Sequence, residues 1–289
     1  MRKLLLCILL FSVQSAFALS ISVLPEKIIQ GDPMMITFEV ESATSSVSSV
    51  SRVTFTNKDN TLLSKVLSPF LFDTKVRALY GVDLNQNPGV YTIVATLADG
   101  TTISKDITIE ARKRIEAPLG IPEKLGGNTV ASQQKLVDTL ASENLSLLNV
   151  RTGTRAFWTE PFRYPVADPK VTDEYGYIRQ TGSFNIAHKG TDFRADTGTP
   201  VMAMNRGVVR IAKTYRNYGK TVVVDHGLGL MTFYMHLSKI YVGEGTLVMP
   251  GQILGVSGKT GYAESPHLHL TVRINHISID PMVFLSLFK

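Results

Sequence analysis

Apolar and polar residues alternate with a period of two in short runs along much of this chain, and turn residues separate the runs. Residues 36–40 and 91–95 are two such runs, and Asn-Pro-Gly at 87–89 and Asp-Gly at 99–100 are two such turns. This alternation is typical of antiparallel β-strands that have one face in a core and one face in water. The pattern therefore predicts an all-β, mainly antiparallel protein.

Changes in composition along the sequence predict where the chain divides. Strand-like runs fill residues 19–112, which are predicted to form a β-sandwich of immunoglobulin-like type. Prolines and a Gly-Gly pair follow, so residues 113–155 are predicted to be a linker. One helix is expected inside this linker, over residues 131–148, with Ser132 as its N-cap and leucines on one face. Residues 156–289 form the last predicted domain.

The first 18 residues have the features of a secretory signal peptide. Two basic residues precede an apolar run at 4–11, and Ala-Phe-Ala at 16–18 is a cleavage site of the small-x-small type. An uncleaved membrane anchor is the alternative, but the run is shorter than the ~20 residues that a span needs. Cys7 is the only cysteine, so the mature chain is expected to have no disulfide. We predict export across the inner membrane, most simply to the periplasm, with an extracellular or cell-wall-associated location as the alternative.

The charge of the chain limits the class of partner. The sequence has 30 basic and 24 acidic residues, which gives a formal net charge of +6. It has no run of five or more basic residues, so a nucleic-acid partner is not expected. A modest positive charge suits an anionic polymer, and the mature chain is expected to be a monomer without a membrane span.

All six histidines lie in the last 130 residues, and side-chain parity predicts a common surface for several of them. A strand over residues 267–274 would place its polar side chains on one face and its apolar side chains on the other. The polar set is His267, His269, Thr271 and Arg273. The segment 231–236 has the same alternation, with Thr232, Tyr234 and His236 expected in the site and Met231, Phe233 and Met235 expected in the core. Together these two strands predict a polar groove floored by a sheet.

A third segment adds metal-binding chemistry to this groove. His188 and Asp192 offer an imidazole and a carboxylate, which are common zinc ligands; catalytic zinc sites use about three protein ligands and keep one position for water. In a straight strand, residues four apart are ~13 Å from one another, which is too far for one ion. We therefore predict that the backbone bends between them, at Gly190, where a bend costs least.

These residues belong to an ordered series of motifs that resembles the lysostaphin-type (LytM-domain) zinc peptidoglycan endopeptidases. The resemblance covers residues 162–288. Its motifs are His188-x-x-x-Asp192, Gly198-Thr199-Pro200-Val201, Gly207-Val208-Val209, the run Tyr218 to Gly227, Tyr234-Met235-His236-Leu237, Gly251-Gln252-x-x-Gly255 and Pro266-His267-Leu268-His269. Parity alone leaves open which of His267 and His269 binds metal, and this assignment depends on the resemblance.

The resemblance implies both a site and an activity. It implies that one zinc ion per chain is ligated by His188, Asp192 and His269, and that His236 and His267 face the substrate and act on the attacking water. The implied activity is hydrolysis of peptide bonds in peptidoglycan stem peptides or cross-links, with D-alanyl to diaminopimelate cross-links favoured over glycine bridges. The alternative is a non-catalytic LytM-domain activator of cell-wall amidases, which the loss of a ligand would favour.

Three other segments carry weaker expectations. His226 is expected to end a strand before a glycine turn, and His276 is expected in a hairpin. The sequence between Phe162 and Phe184 is longer than a minimal approach to His188 requires, and it contains a polar loop at residues 173–181. This loop is therefore expected to form a wall of the groove.

Overall fold

A computed structural model of the protein describes residues 20–39, 49–57 and 66–289. The predicted signal peptide at residues 1–18 lies outside the described residues. Within them, strands dominate and almost all strand pairs are antiparallel, so the predicted all-β class is confirmed. None of the helices in these ranges is long and apolar enough to cross a membrane.

The N-terminal region consists of two four-stranded sheets. The first has the strand order β1 (Ser20–Leu24), β3 (Pro33–Glu39), β6 (Lys75–Gly81) and β5 (Phe70–Phe72), and the second has the order β2 (Ile28–Ile29), β8 (Thr102–Glu110), β7 (Gly89–Leu97) and β4 (Val50–Asn57). One apolar core unites the sheets, with Phe38 from the first and Phe55 and Ile93 from the second. Two sheets around one core agree with the predicted sandwich, whose immunoglobulin-like type stays a prediction.

The C-terminal region is built on one large antiparallel sheet. Its strand order is β10 (Val171–Asp173), β13 (Thr191–Arg194), β21 (His267–Ile274), β17 (Leu230–Leu237), β16 (Gly219–Gly227), β15 (Gly207–Tyr215) and β19 (Leu247–Val248), and β22 (Ile277–Ile279) pairs with β21. Two small sheets join it: β12 (Phe184–Ala187), β11 (Ile178–Thr181) and β9 (Glu116–Pro118) form one, and β14 (Pro200–Met202), β20 (Ile253–Val256) and β18 (Lys239–Ile240) form the other. The chain ends with helix α2 (Pro281–Ser286).

The predicted helix is α1 (Val130–Leu148), and it packs on one face of the large sheet. Its Leu147 shares a core with Phe233 and Met235 of β17. The Glu143 carboxylate accepts backbone N–H groups from Arg216 and its neighbour in the β15–β16 hairpin, the first at 2.7 Å. These contacts fix the helix over the part of the sheet that adjoins the histidines.

The predicted N-cap of this helix is wrong by three residues. Thr129 caps α1, and its hydroxyl oxygen accepts the backbone N–H of Ser132 at 3.2 Å. The Ser132 hydroxyl instead donates to the Gly126 carbonyl oxygen at 2.9 Å. Both residues are good N-caps by type, so the tertiary contact of Ser132 decided between them.

The N-terminal sandwich packs on the opposite face of the large sheet. Met35, Phe70 and Leu79 of the sandwich belong to the same core as Leu268 and Leu270 of β21. The core also contains Trp158, whose ring centroid lies 5.2 Å from that of Phe70 in an edge-to-face arrangement. The sandwich therefore supports the sheet from behind.

An ion pair cluster at the edge of this interface fixes the sandwich further. The Arg112 guanidinium contacts Asp32 at 2.8 Å and Asp280 at 3.3 Å, and both carboxylates are nearly buried. Burial raises the pKa of Asp32 to about 6, although the Ile29 backbone N–H and Arg112 act in the opposite direction. Asp280 precedes α2 and caps it, so the cluster joins the sandwich to the end of the chain.

Candidate metal centre

Neighbouring strands bring two of the predicted metal ligands together. Asp192 on β13 pairs directly with His269 on β21, so their side chains project from the same face of the sheet. His188 follows the end of β12, and the backbone bends at Gly190 before β13 begins, as predicted. All three side chains are buried. The bend places His188 against the other two residues.

The three potential ligand atoms lie close together. The His188 Nε2 atom is 3.1 Å from Asp192 Oδ1 and 3.0 Å from His269 Nδ1, and His269 Nδ1 is 2.7 Å from Asp192 Oδ1. These residues form the one group in the described parts of the chain whose ligand atoms have the spacing to hold a metal ion.

Hydrogen bonds on the outer sides of the two imidazoles fix which nitrogens carry protons. His188 Nδ1 lies 2.8 Å from the Glu174 carbonyl oxygen, which only accepts, so this nitrogen is the donor. His269 Nε2 lies 3.0 Å from the Thr271 hydroxyl, and that hydroxyl donates to the Lys189 carbonyl oxygen at 3.0 Å. His269 Nε2 is therefore also a donor, which leaves a lone pair on each inward nitrogen.

The site thus presents three electron-pair donors to one another with no proton between them. Two imidazole lone pairs and a carboxylate oxygen at 2.7 to 3.1 Å repel each other unless a cation lies among them. Two neutral histidines and one carboxylate are a donor set that suits zinc, and outer hydrogen bonds of this kind orient metal-binding histidines. The residues therefore fit the zinc ion implied by the sequence, and three protein ligands are the number that catalytic zinc sites use.

Arg179 holds the second oxygen of the metal-facing carboxylate. Its Nη2 atom lies 2.5 Å from Asp192 Oδ2 and 2.7 Å from Asp173 Oδ2. Burial raises the pKa of Asp192, but His188 and His269 in their protonated forms outweigh it and hold that pKa well below its usual value, and a metal cation among the three ligand atoms would act in the same direction. The ionised carboxylate therefore points Oδ1 at the histidines. No motif in the sequence singles out Arg179, and its position inside the predicted wall segment is the one signal that points to it.

The side-chain parity predicted for β17 is wrong, and one residue explains the error. Tyr234 lies in the core on the opposite face of the sheet, where its hydroxyl accepts the Met204 backbone N–H at 2.9 Å. Met235 lies in a core with Phe233, as expected, but this core is the one against helix α1, on the face of the sheet where Met235 pairs with His269. His236 has a φ of 63°, a left-handed conformation that is uncommon outside glycine. This conformation interrupts the alternation and returns the His236 ring to the site.

His236 and His267 border the metal ligands. The His236 ring centroid lies 4.9 Å from that of His267 and 5.9 Å from that of His269. His236 Nδ1 donates to the Thr260 carbonyl oxygen at 2.8 Å, and His267 Nδ1 donates to the Ser265 carbonyl oxygen at 2.9 Å. Both rings therefore keep a lone pair on Nε2.

The surroundings of these two rings differ. His267 Nε2 is buried, has no hydrogen-bond partner among the described residues and lies 3.8 Å from Asp192 Oδ2. Burial lowers the pKa of His236 well below its usual value, and His267 and His269 lower it further. All five predicted site residues are thus brought together, with two Nε2 lone pairs beside the ligand group.

Two cavities adjoin this centre. One has a volume of about 510 Å³ and is lined by His188, His236 and His269 among others. The other has a volume of about 450 Å³ and is lined by Asp192 and His267 among others. Arg179 and Tyr262 line both, and the Tyr262 hydroxyl lies 2.9 Å from the Thr181 hydroxyl. The segment 173–181 therefore forms a wall of the site, as expected.

The remaining histidines do not join the ligand group. His226 lies at the end of β16, where its ring nitrogens are 2.8 Å from the Arg206 carbonyl oxygen and the Thr232 hydroxyl. His276 lies in the hairpin between β21 and β22, as predicted, and both it and Asn275 have positive φ. Such a pair is typical of a two-residue type I′ turn.

Gly190→Ala is expected to weaken zinc binding by about 10- to 100-fold, because a methyl group there would lie 2.5 Å from His269 Nε2 and from the Leu270 carbonyl oxygen. Titration of the metal-free protein with zinc against a chromogenic chelator checks this expectation. Gly243→Ala is the matched control, since its added methyl group would meet no atom within 4 Å. An unchanged affinity in Gly190→Ala would show that the ring has room to move.

The comparisons with known proteins agree with this geometry. Residues 186–281 match the sequence model of peptidase family M23. Peptidoglycan DD-endopeptidase ShyA of Vibrio cholerae serotype O1 is 42% identical over 95 residues, which are 33% of this chain and 22% of that protein. DD-carboxypeptidase/endopeptidase Mpg of Neisseria meningitidis serogroup B is 28% identical over 226 residues, which are 66% of this chain and 52% of that protein.

A solved structure shows the same fold over nearly the whole chain. A candidate M23 peptidase from Pseudomonas aeruginosa superposes with a TM-score of 0.61 at 24% identity, over 91% of this chain and 96% of that one. Fold and site together define a metallopeptidase domain. Residues 186–281 belong to peptidase family M23, which confirms the resemblance identified in the sequence. The chain spans about a fifth to a half of the two curated relatives named above.

Proposed function

We propose that this protein is an exported, zinc-dependent peptidoglycan endopeptidase that cuts peptide bonds in stem peptides or cross-links, with D-alanyl to diaminopimelate cross-links preferred. The observation that carries the proposal is the convergence of three proton-free donor atoms beside two further histidines with free Nε2 lone pairs. The names of ShyA and Mpg support the substrate class. The signal-like residues 1–18 support export to the periplasm.

In this proposal, zinc held by His188, Asp192 and His269 supplies a Lewis acid that polarises the scissile carbonyl and makes water more acidic. The chain itself provides the proton transfers. One of the Nε2 atoms of His236 and His267 accepts the proton of the attacking water and returns it to the leaving amine, while the other ring faces the substrate, a task that suits neutral imidazoles. Arg179 holds Asp192 Oδ2 and so orients Oδ1 toward the histidines, and the two adjoining cavities take the peptide.

The alternative of a non-catalytic amidase activator gains no support from the site. That interpretation expects the loss of a ligand, whereas all three ligands and both substrate-facing histidines are present and converge. The two histidine ligands also keep the hydrogen bonds that orient their rings, from His188 to the Glu174 carbonyl oxygen and from His269 to the Thr271 hydroxyl.

Metal removal tests the proposal directly. The chain without residues 1–18 is expected to contain about one zinc ion and to convert cross-linked muropeptide dimers from purified peptidoglycan into monomers. A chelator should lower the rate of this conversion by at least about 100-fold, and zinc, but not magnesium, should restore it. Mass spectrometry of the products identifies the bond. Dimers that stay intact with the zinc-loaded chain, or a rate that does not respond to the chelator, would contradict the proposal.

A further inference from the structure

An arginine side chain is buried in the wall of the 510 Å³ cavity that begins at the metal centre. Arg273 lies on β21, four residues beyond His269 and on the same face of the sheet, and it is 7% exposed. Its guanidinium packs over the Phe233 ring, with its central carbon 4.6 Å from the ring centroid. The same cavity therefore contains the ligand group and a buried cation.

This guanidinium lacks an anionic partner among the described residues. Its Nε and Nη2 atoms donate to two neutral oxygens, Ser278 Oγ and Asn144 Oδ1, both at 3.2 Å. Its Nη1 atom is buried and has no hydrogen-bond partner there. Asp83 is the one acidic residue in the wall of this cavity, and it makes no ion pair with Arg273 in the parts of the chain that the structure describes.

A buried cation without a counter-ion costs folding free energy, and its retention points to a ligand that offsets the cost. Burial lowers the pKa of Arg273, and the Tyr218 side chain only partly opposes this effect. A guanidinium with a buried N–H group that lacks a partner and with two weak neutral partners suits a carboxylate, which accepts charge-assisted hydrogen bonds from arginine. The other polar atoms around the guanidinium hold it in place without neutralising it.

We propose that Arg273 binds a free carboxylate of the peptide substrate and makes this cavity a carboxylate-specific subsite. The inference rests on the proposed function, because that function brings a peptide into the cavity. Helix α1 completes the subsite: Asn144 orients the guanidinium, and Val137 and Leu140 form part of the cavity wall.

The position of Arg273 defines where the carboxylate lies in the substrate. Four residues of a strand separate it from His269, a distance of ~13 Å along β21. An extended peptide covers at most ~3.3–3.6 Å per residue. The carboxylate therefore belongs either to the end of a stem peptide a few residues from the scissile bond or to the side chain of an amino acid such as diaminopimelate nearer to it.

Paired substrates test the proposal and distinguish these two sources. Muropeptide dimers are prepared with a carboxylate or a carboxamide at the peptide terminus, and likewise at diaminopimelate, and kcat/KM is measured with the zinc-loaded chain. At one of the two positions, the carboxylate form is expected to be preferred by about 10- to 100-fold. Arg273→Gln should remove this preference through a higher KM for the carboxylate form, and it should change kcat/KM for the carboxamide form by less than about threefold.

Two further variants separate charge from folding. Arg273→Lys keeps the charge but loses the planar fork, so it should keep part of the preference. Arg163→Gln is the control, since this exposed arginine pairs with Glu160 outside the cavity and should leave the preference unchanged. Thermal unfolding and zinc content show that each variant is folded and loaded.

The proposal is overturned if wild type shows no preference at either position or if Arg273→Gln retains it. If the zinc-loaded wild type cuts none of the dimers, the proposed function fails, and calorimetric binding of the same dimers then decides about the subsite. Tighter binding of one carboxylate form, lost in Arg273→Gln, supports the subsite. Equal binding of the two forms, or binding unaffected by the substitution, contradicts it.

Discussion

His269→Ala is expected to reduce zinc content from about one ion per chain to near zero and to lower muropeptide release by about 10⁴-fold or more. The substitution removes Nδ1, which lies within 3.0 Å of both His188 Nε2 and Asp192 Oδ1. It also removes Nε2, from which the Thr271 hydroxyl accepts a hydrogen bond. The two ligands that remain, His188 and Asp192, are too few to hold zinc tightly.

Elemental analysis after dialysis and an assay of muropeptide dimers measure the two effects. His276→Asn is the control for metal content, because this residue lies in a nearby hairpin with a φ of 72°, which asparagine tolerates. Zinc retained at wild-type stoichiometry in His269→Ala would show that the metal binds elsewhere. His188→Ala and Asp192→Asn should then be tested to locate it.

His267→Ala and His236→Ala are expected to lower kcat by about 10² to 10⁴-fold while zinc stays bound. Each ring donates its Nδ1 hydrogen to a backbone carbonyl and presents Nε2 to the ligand group. Neither His236 nor His267 belongs to the group of three residues whose ligand atoms could hold the metal ion. Loss of turnover with retained zinc separates these two residues from the ligands, and zinc analysis with steady-state kinetics measures both quantities.

Tyr234→Phe is the matched control for these two variants. Side-chain parity along β17 would place this hydroxyl in the site, whereas the structure buries it in the opposite core beside Thr232 and Met204. Its loss should lower thermal stability by removing a buried hydrogen bond, worth about 1 kcal/mol, and should leave kcat nearly unchanged. A large loss of kcat in Tyr234→Phe, with His267→Ala still active, would reverse the assignment of faces.

The contrast between β21 and β17 shows how far side-chain parity predicts a site. In β21 the alternation holds from end to end, so His267, His269 and Arg273 lie on the face that the sequence predicted. In β17 the alternation fails at one residue, because His236 has a left-handed backbone conformation. No propensity rule places a histidine there, since the strain is compensated by tertiary contacts such as the hydrogen bond to Thr260.

Gly190 illustrates a prediction that was right for an incomplete reason. The sequence placed a bend there because glycine makes bends inexpensive. In the structure, the residue also lies so close to His269 that a side chain would collide with the ring. That contact joins segments about 80 residues apart in sequence, and local sequence patterns contain no information about it. The same limit applies to Arg179, whose partner Asp192 lies on a different strand.

The packing of the sandwich behind the large sheet limits how far the C-terminal region can be separated from the rest of the chain. Phe70 lies against Trp158, and Phe72 lies against Phe288 near the end of the chain. The sandwich has a core of its own, but Met35, Phe70 and Leu79 on its outer side belong to the core of the C-terminal region. Transplanting the C-terminal region alone onto another protein would expose an aromatic surface to water. A stable chimera would need to replace the N-terminal sandwich with a domain that presents an equally apolar surface of similar shape.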